Sequence, residues 1–161
     1  KDIPTSKFEL FTKKWTNSIS NALIKDSDFC AWRYGGPHKK YQFLVVSYQD
    51  SICGFCAFTE VVREGVPSYC ILDFSVLKEN FDCVGFVYAT LETEAKKNNI
   101  EAILLMMSKY SAYQYKLIKN GFMKSPFKFY LIIKNLTNEF TDEELFDEKK
   151  WHLMWVDSDD L

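Results

Sequence analysis

Apolar residues mark out most of the chain's elements. Phe8, Phe11, Trp15 and Ile19 recur at helical spacing behind Ser6 and Glu9, a capping-box pair, and predict a helix with one buried face. Asp26-Ser27-Asp28 interrupts that pattern, Phe29–Tyr34 reads as a short helical turn, and Gly35-Gly36-Pro37 ends it. Three strands follow over Tyr41–Tyr48, Ile52–Val62 and Tyr69–Val76. The first is apolar on both faces at Phe43 to Val46, as a central strand would be. Short polar turns between the strands predict an antiparallel meander.

Next, Val84, Tyr88, Leu91 and Ala95 define the inner face of a helix over Phe81–Asn98. Ala102–Met107 is a short, continuously apolar run that predicts a buried strand, and the crossover leading to it favours parallel pairing. A helix over Tyr110–Lys119 is expected to stop at Asn120-Gly121. Phe127, Phe129, Leu131 and Ile133 alternate as a last core strand. Thr141 and Glu144 cap a short helix, and Trp151–Val156 reads as a strand with one aromatic face. The fold class expected is therefore α/β, with a mixed, mostly antiparallel central sheet flanked by helices.

Composition sharpens this picture only in places. The 161 residues are 47% hydrophobic, enough for one core, and 14 Phe, 9 Tyr and 4 Trp supply much of its area. Net charge is −2, but residues 1–137 hold 18 basic against 13 acidic groups and residues 138–161 hold 2 against 9. The acidic end reads as a solvated face or as a segment folded back over the basic body. No long basic stripe argues for a nucleic-acid partner, and no apolar run reaches the ~20 residues of a membrane span. Five cysteines without framework spacing suit reduced thiols and a cytoplasmic setting. Cys53 and Cys56 fall within a predicted strand, where they read as structural thiols, and His38 and His152 lack metal-ligand spacing. His38-Lys39-Lys40 is a small basic loop, and Asp157-Ser158-Asp159-Asp160 lacks the glycine and closing Glu of a calcium loop.

The element order, with Lys119-Asn120-Gly121-Phe122 after the second long helix, resembles the GNAT superfamily of N-acetyltransferases over about residues 6–134. Residues 135–161 then form an acidic extension expected to pack on the same domain. Trp32-Arg33-Tyr34, Pro37 and Tyr41 resemble the segment entering the sheet in two-domain GNAT-like proteins, so an upstream GNAT-like domain is an expected partner. Lys1–Thr5 is too short and polar for the family's first strand, which is absent here or belongs to that preceding half.

The resemblance implies a sheet that splays between Tyr69–Val76 and Ala102–Met107, with acetyl-CoA in the opening and a small-molecule or peptide amine as acceptor. Coenzyme contacts would fall on Val76, Leu77, Asp82, Cys83, Val84 and Gly85. The family's pyrophosphate loop uses small residues and free amides at a helix start. Glu79 and Asp82 put carboxylates there instead. The family's usual acid tyrosine, four residues before the glycine of Gly-Phe, falls on Leu117; Tyr113 is the substitute donor, with Tyr115 nearby. Asp73, between Leu72 and Phe74, is the candidate base, and Glu60 a second. Two readings stay open: an acyl-CoA-dependent N-acyltransferase, and a non-catalytic GNAT-like docking or regulatory module with a degenerate coenzyme loop.

Overall fold

A computed structural model describes residues 6–36, 40–136 and 139–158. The readings placed on Lys1–Thr5, on Pro37 and the His38-Lys39 loop, and on Asp159-Asp160 lie outside the described residues.

Four strands form one sheet in the order β1 (Tyr41–Tyr48), β2 (Ser51–Arg63), β3 (Val66–Val76) and β4 (Ala102–Leu105). The first three are antiparallel and β4 runs parallel to β3, as the short turns and the helical crossover require. Both hairpins close through two residues of positive φ, Gln49 with Asp50 and Glu64 with Gly65. That turn geometry follows the right-handed twist of the flanking strands.

Helices cover both faces of the sheet. On one face, α1 (Ser6–Thr16) and α2 (Ser27–Tyr34) bury Phe8, Phe11, Trp15 and Tyr34 against Phe43 and Phe55. Asp26 caps α2 by accepting from the Phe29 amide, so the polar interruption in the sequence is a helix start. On the other face, α3 (Val84–Lys97) buries Val84, Val87, Tyr88, Leu91 and Ala95. The Phe74 ring meets Tyr88 edge-on there, at 5.4 Å between centroids.

Several expectations change. Strand β1 is the sheet's edge, half-buried along its length, and not a central strand; its apolar residues rest on Tyr34 and Phe55. The predicted helix over Tyr110–Lys119 is α4 (Lys109–Gln114) followed by a separate 3-10 turn, Ile118–Asn120, with Lys116 at φ 53° between them. Gly121 ends the turn at φ +84°, the left-handed conformation that glycine takes most readily. Phe127–Ile133 is not a strand: it pairs with nothing in the sheet, and Phe127, Phe129, Leu131 and Ile132 are exposed.

Trp151–Val156 is not a strand either. It makes a single parallel bridge, from Trp151 to Asn21, and closes in a 3-10 turn over Trp155–Asp157. The short helix before it, α5 (Asp142–Phe146), carries the full capping box of Thr141 and Glu144. Among the described residues no helix is long and apolar enough to cross a membrane, and no group of three His, Cys, Asp or Glu has metal-binding geometry. All five cysteines are free.

Candidate functional site

The sheet opens at one definable point. Strand β4 pairs with β3 only from Ser68↔Ala102 to Ile71↔Leu105, whereas β3 runs on to Val76. The opening begins at a bulge: Ile71 faces Phe58 and Asp73 faces Ala57, so Leu72 is an extra residue in β3. A bulge bends its strand and sharpens the local twist, which turns Asp73–Val76 away from β4. The result is the splay expected between these two strands.

The gap is filled by the chain itself. Tyr115 is buried within it, its ring 5.0 Å from that of Phe74 and 5.2 Å from that of Phe81. The Val76 amide donates to the Tyr115 hydroxyl at 3.3 Å, and the Tyr88 hydroxyl donates to the Tyr115 carbonyl at 3.4 Å. Burial raises the Tyr115 phenol well above its ordinary range, and the hydrogen bond from the Val76 amide offsets only part of this. At neutral pH the ring is a neutral phenol anchored to strand backbone.

His152 fills the other side. Its ring lies 4.8 Å from Trp15 and 6.0 Å from Tyr115, so three rings span the gap from one helical layer to the other. Burial and the neighbouring Lys25 ammonium hold its pKa well below the usual imidazole range. The imidazole is neutral, and the Val76 amide, a polar group of the unpaired stretch of β3, is engaged by Tyr115. Met154, Trp155 and Val156 follow His152 into the core, exposed by 0%, 7% and 4%.

Asp73, the candidate base, has a different role. It is 1% exposed and accepts from Lys25 Nζ at 2.8 Å and from the Ser75 hydroxyl at 3.2 Å. Asp157 lies 3.6 Å from the same ammonium, and burial pushes its carboxyl upward despite Lys25. A carboxylate 1% exposed and bonded to a buried ammonium has the setting of a structural ion pair. Glu60 is solvent-facing and accepts from Gln42 at 3.3 Å.

Tyr113 does not reach the gap. It is 84% exposed on α4, and Tyr115, two residues on and so on the opposite side of the helical turn, faces inward in its place. Tyr115→Phe is expected to cost about 1–3 kcal/mol, because the Val76 amide loses its partner in a buried site. Tyr113→Phe is expected to stay within about 0.5 kcal/mol. Urea melts of the two variants check this pair.

Comparison with known proteins supports this architecture. No family model matches the chain, and no curated protein does. Solved structures do. The chain matches ribosomal-protein-alanine N-acetyltransferase from Brucella melitensis with a TM-score of 0.59 at 13% identity, over 80% of this chain and 91% of that one. It matches an aminoglycoside acetyltransferase from an uncultured soil metagenomic sample at 0.57 and 14%, over 80% and 89%. A GNAT family acetyltransferase from Staphylococcus aureus gives 0.56 and 16%, over 79% and 91%. The chain has the GNAT acetyltransferase fold.

The fold family implies acetyl-CoA, and the residues at the corresponding place do not fit it. Val76 and Leu77 close β3 and are buried, with the Val76 amide already bonded. The stretch after them, Lys78–Cys83, is a 3-10 turn in which the Asn80 amide is taken by the Leu77 carbonyl at 2.8 Å, and the Val84 amide just beyond it by Phe81. An anion-binding loop needs such amides free. Glu79 and Asp82 face solvent and pair with Lys14 and Lys116, and the Lys14 hydrogen bond holds the Glu79 carboxyl below its usual range. Both are acidic groups where a pyrophosphate would need positive charge. Cys83 precedes α3 without capping it, and Val84 is 1% exposed. A Cβ on Gly85 would meet only Asn120 Oδ1 at 3.8 Å, so no close approach demands glycine there.

Proposed function

We propose that this domain is a non-catalytic GNAT-fold module, serving docking or regulation, whose coenzyme cleft is closed by its own side chains. The observation that carries this reading is the engagement of the Val76 amide by Tyr115, with the His152 ring buried between Trp15 and Tyr115. The internally bonded turn and the carboxylates of Glu79 and Asp82 support it independently. A docking role is supported by the exposed apolar stretch that includes Phe127, Tyr130 and Ile132, exposed by 71%, 81% and 90%. The partner assigned is a further GNAT-like domain, in keeping with the sequence around Trp32-Arg33-Tyr34. Five free thiols support a cytoplasmic setting.

Acetyl-CoA in excess is expected to leave the melting temperature unchanged and to give no saturable heat in titration calorimetry. A ligand at a hundred times its Kd would add about 2.7 kcal/mol of stability, a shift easily read. Saturable binding would instead favour the second reading, acyl transfer to a primary amine, which the splay between β3 and β4 supports. Replacing Glu79 and Asp82 with glycine separates the two causes of closure: binding that appears only in that variant assigns the block to charge.

A further inference from the structure

We infer that residues 151–158 form a strap that opens as a unit of its own, latched over the gap by Lys25 and Arg33. This rests on the closed-cleft reading and names what regulates the closure. The strap is buried through His152, Met154, Trp155 and Val156, yet its backbone joins no sheet ladder. Its backbone is tied to the body by Asn21, whose amide donates to the Lys150 carbonyl at 2.8 Å and whose carbonyl accepts from the His152 amide at 3.0 Å.

The other bonds at its end are internal. Asp157 and Ser158 amides donate to Met154 and Trp155 carbonyls, and the Met154 amide donates to Asp157 Oδ2 at 2.8 Å. By contrast, β3 is hydrogen-bonded along β2 and, over its first half, along β4 as well. Opening free energy follows such tertiary hydrogen bonding, so the strap and the sheet belong to different cooperative units.

Two side chains fasten the free end. Lys25 bridges Asp73 of β3 to Asp157 of the strap, and Arg33 Nη2 donates to the Ser158 carbonyl at 2.9 Å. The fastening is incomplete. Of six buried polar side-chain atoms without a hydrogen-bond partner among the described residues, three lie on the strap: His152 Nε2, Trp155 Nε1 and Asp157 Oδ1, the last held only by its 3.6 Å ion pair with Lys25. A fourth, Arg33 Nε, belongs to the side chain that holds Ser158. Buried polar atoms left unpaired lower the stability of the state that buries them. Here that deficit is concentrated at the strap's interface, so its opening regains solvent hydrogen bonds that opening of β2 or β3 does not. Release uncovers Tyr115 and the unpaired stretch of β3.

Amide hydrogen exchange on the intact chain tests this, with Asp157→Asn and Arg33→Lys as variants. The strap amides of His152, Met154, Asp157 and Ser158 are expected to exchange at least tenfold faster in both variants. Amides of β2 and β3 should stay within twofold of the unchanged protein. Trypsin should cut after Lys149 or Lys150 faster in the variants, with the fragment that ends at that lysine surviving. Unchanged strap exchange in both variants would overturn the inference. So would acceleration of β2 and β3 together with the strap, or failure of either variant to fold, since each would make strap and sheet one cooperative unit. No coenzyme enters the measurement, so the exchange rates stand whether an acetyl-CoA titration succeeds or fails.

Discussion

Lys25→Met should destabilise the domain by about 3–5 kcal/mol in urea denaturation, a large share of the ~5–15 kcal/mol that holds a domain together. Lys25 Nζ stands 2.8 Å from Asp73 and 3.6 Å from Asp157, with the three side chains 3%, 2% and 5% exposed. Methionine fills a similar volume, so packing is nearly kept while both carboxylates lose their cation in a buried site. The size of the loss comes from the charges left behind, not from the pair's own worth. Replacing Asp73 and Asp157 with leucine in the same protein is therefore expected to recover most of it. A loss below about 1 kcal/mol for Lys25→Met would mean that water reaches the cluster and that it behaves as a surface pair.

Trp15→Ala is expected to cost a similar amount, about 3–5 kcal/mol, for a different reason. The indole is 2% exposed and packs edge-on against His152 at 4.8 Å, with Lys25 Nζ 5.5 Å from its ring. Its removal opens a cavity between α1 and the segment that closes the gap. Trp32, 73% exposed on α2, is the control: Trp32→Ala should stay within about 0.5 kcal/mol. Denaturant midpoints of the two variants should therefore differ widely although both remove a tryptophan from a neighbouring helix.

Element positions are legible wherever periodicity is strong. Phe8, Phe11 and Trp15 face the core as their helical spacing requires, and the inner face of α3 is the one that Val84 to Ala95 mark out. The parallel pairing of β4 follows from the crossover that precedes it. Pattern misleads where a short segment lacks the contacts to enforce it. The alternation from Phe127 to Ile133 predicts a strand, yet a strand needs a partner edge, and these residues have none in the sheet. Phe43 to Val46 suggest a central strand because they are apolar on both faces. One neighbouring strand, with Tyr34 and Phe55 beneath, accommodates them at an edge.

At the candidate site the split is finer. Glu79 and Asp82 are visible in the sequence as charges unsuited to a pyrophosphate, because position after β3 and before α3 is a local property. The choice between Tyr113 and Tyr115 is not local. It depends on which side of α4 packs against the sheet, and Phe74, Phe81 and the Val76 amide receive the side that carries Tyr115. Lys25 is distant along the chain from both Asp73 and Asp157, and no spacing rule joins the three. His152 stands in the sequence as a residue without ligand spacing; its place between Trp15 and Tyr115 exists only once residues 151–157 fold back.

The sequence by itself determined the α/β layout, the antiparallel meander with its parallel fourth strand, and the acidic turn at Glu79–Asp82, since each follows from periodicity, loop length or local charge. Only the tertiary structure decided that the splay between β3 and β4 is filled. Tyr115 comes to it from the end of α4, Trp15 from α1 and His152 from the acidic end of the chain, and packing alone brings such distant residues together beside the Val76 amide.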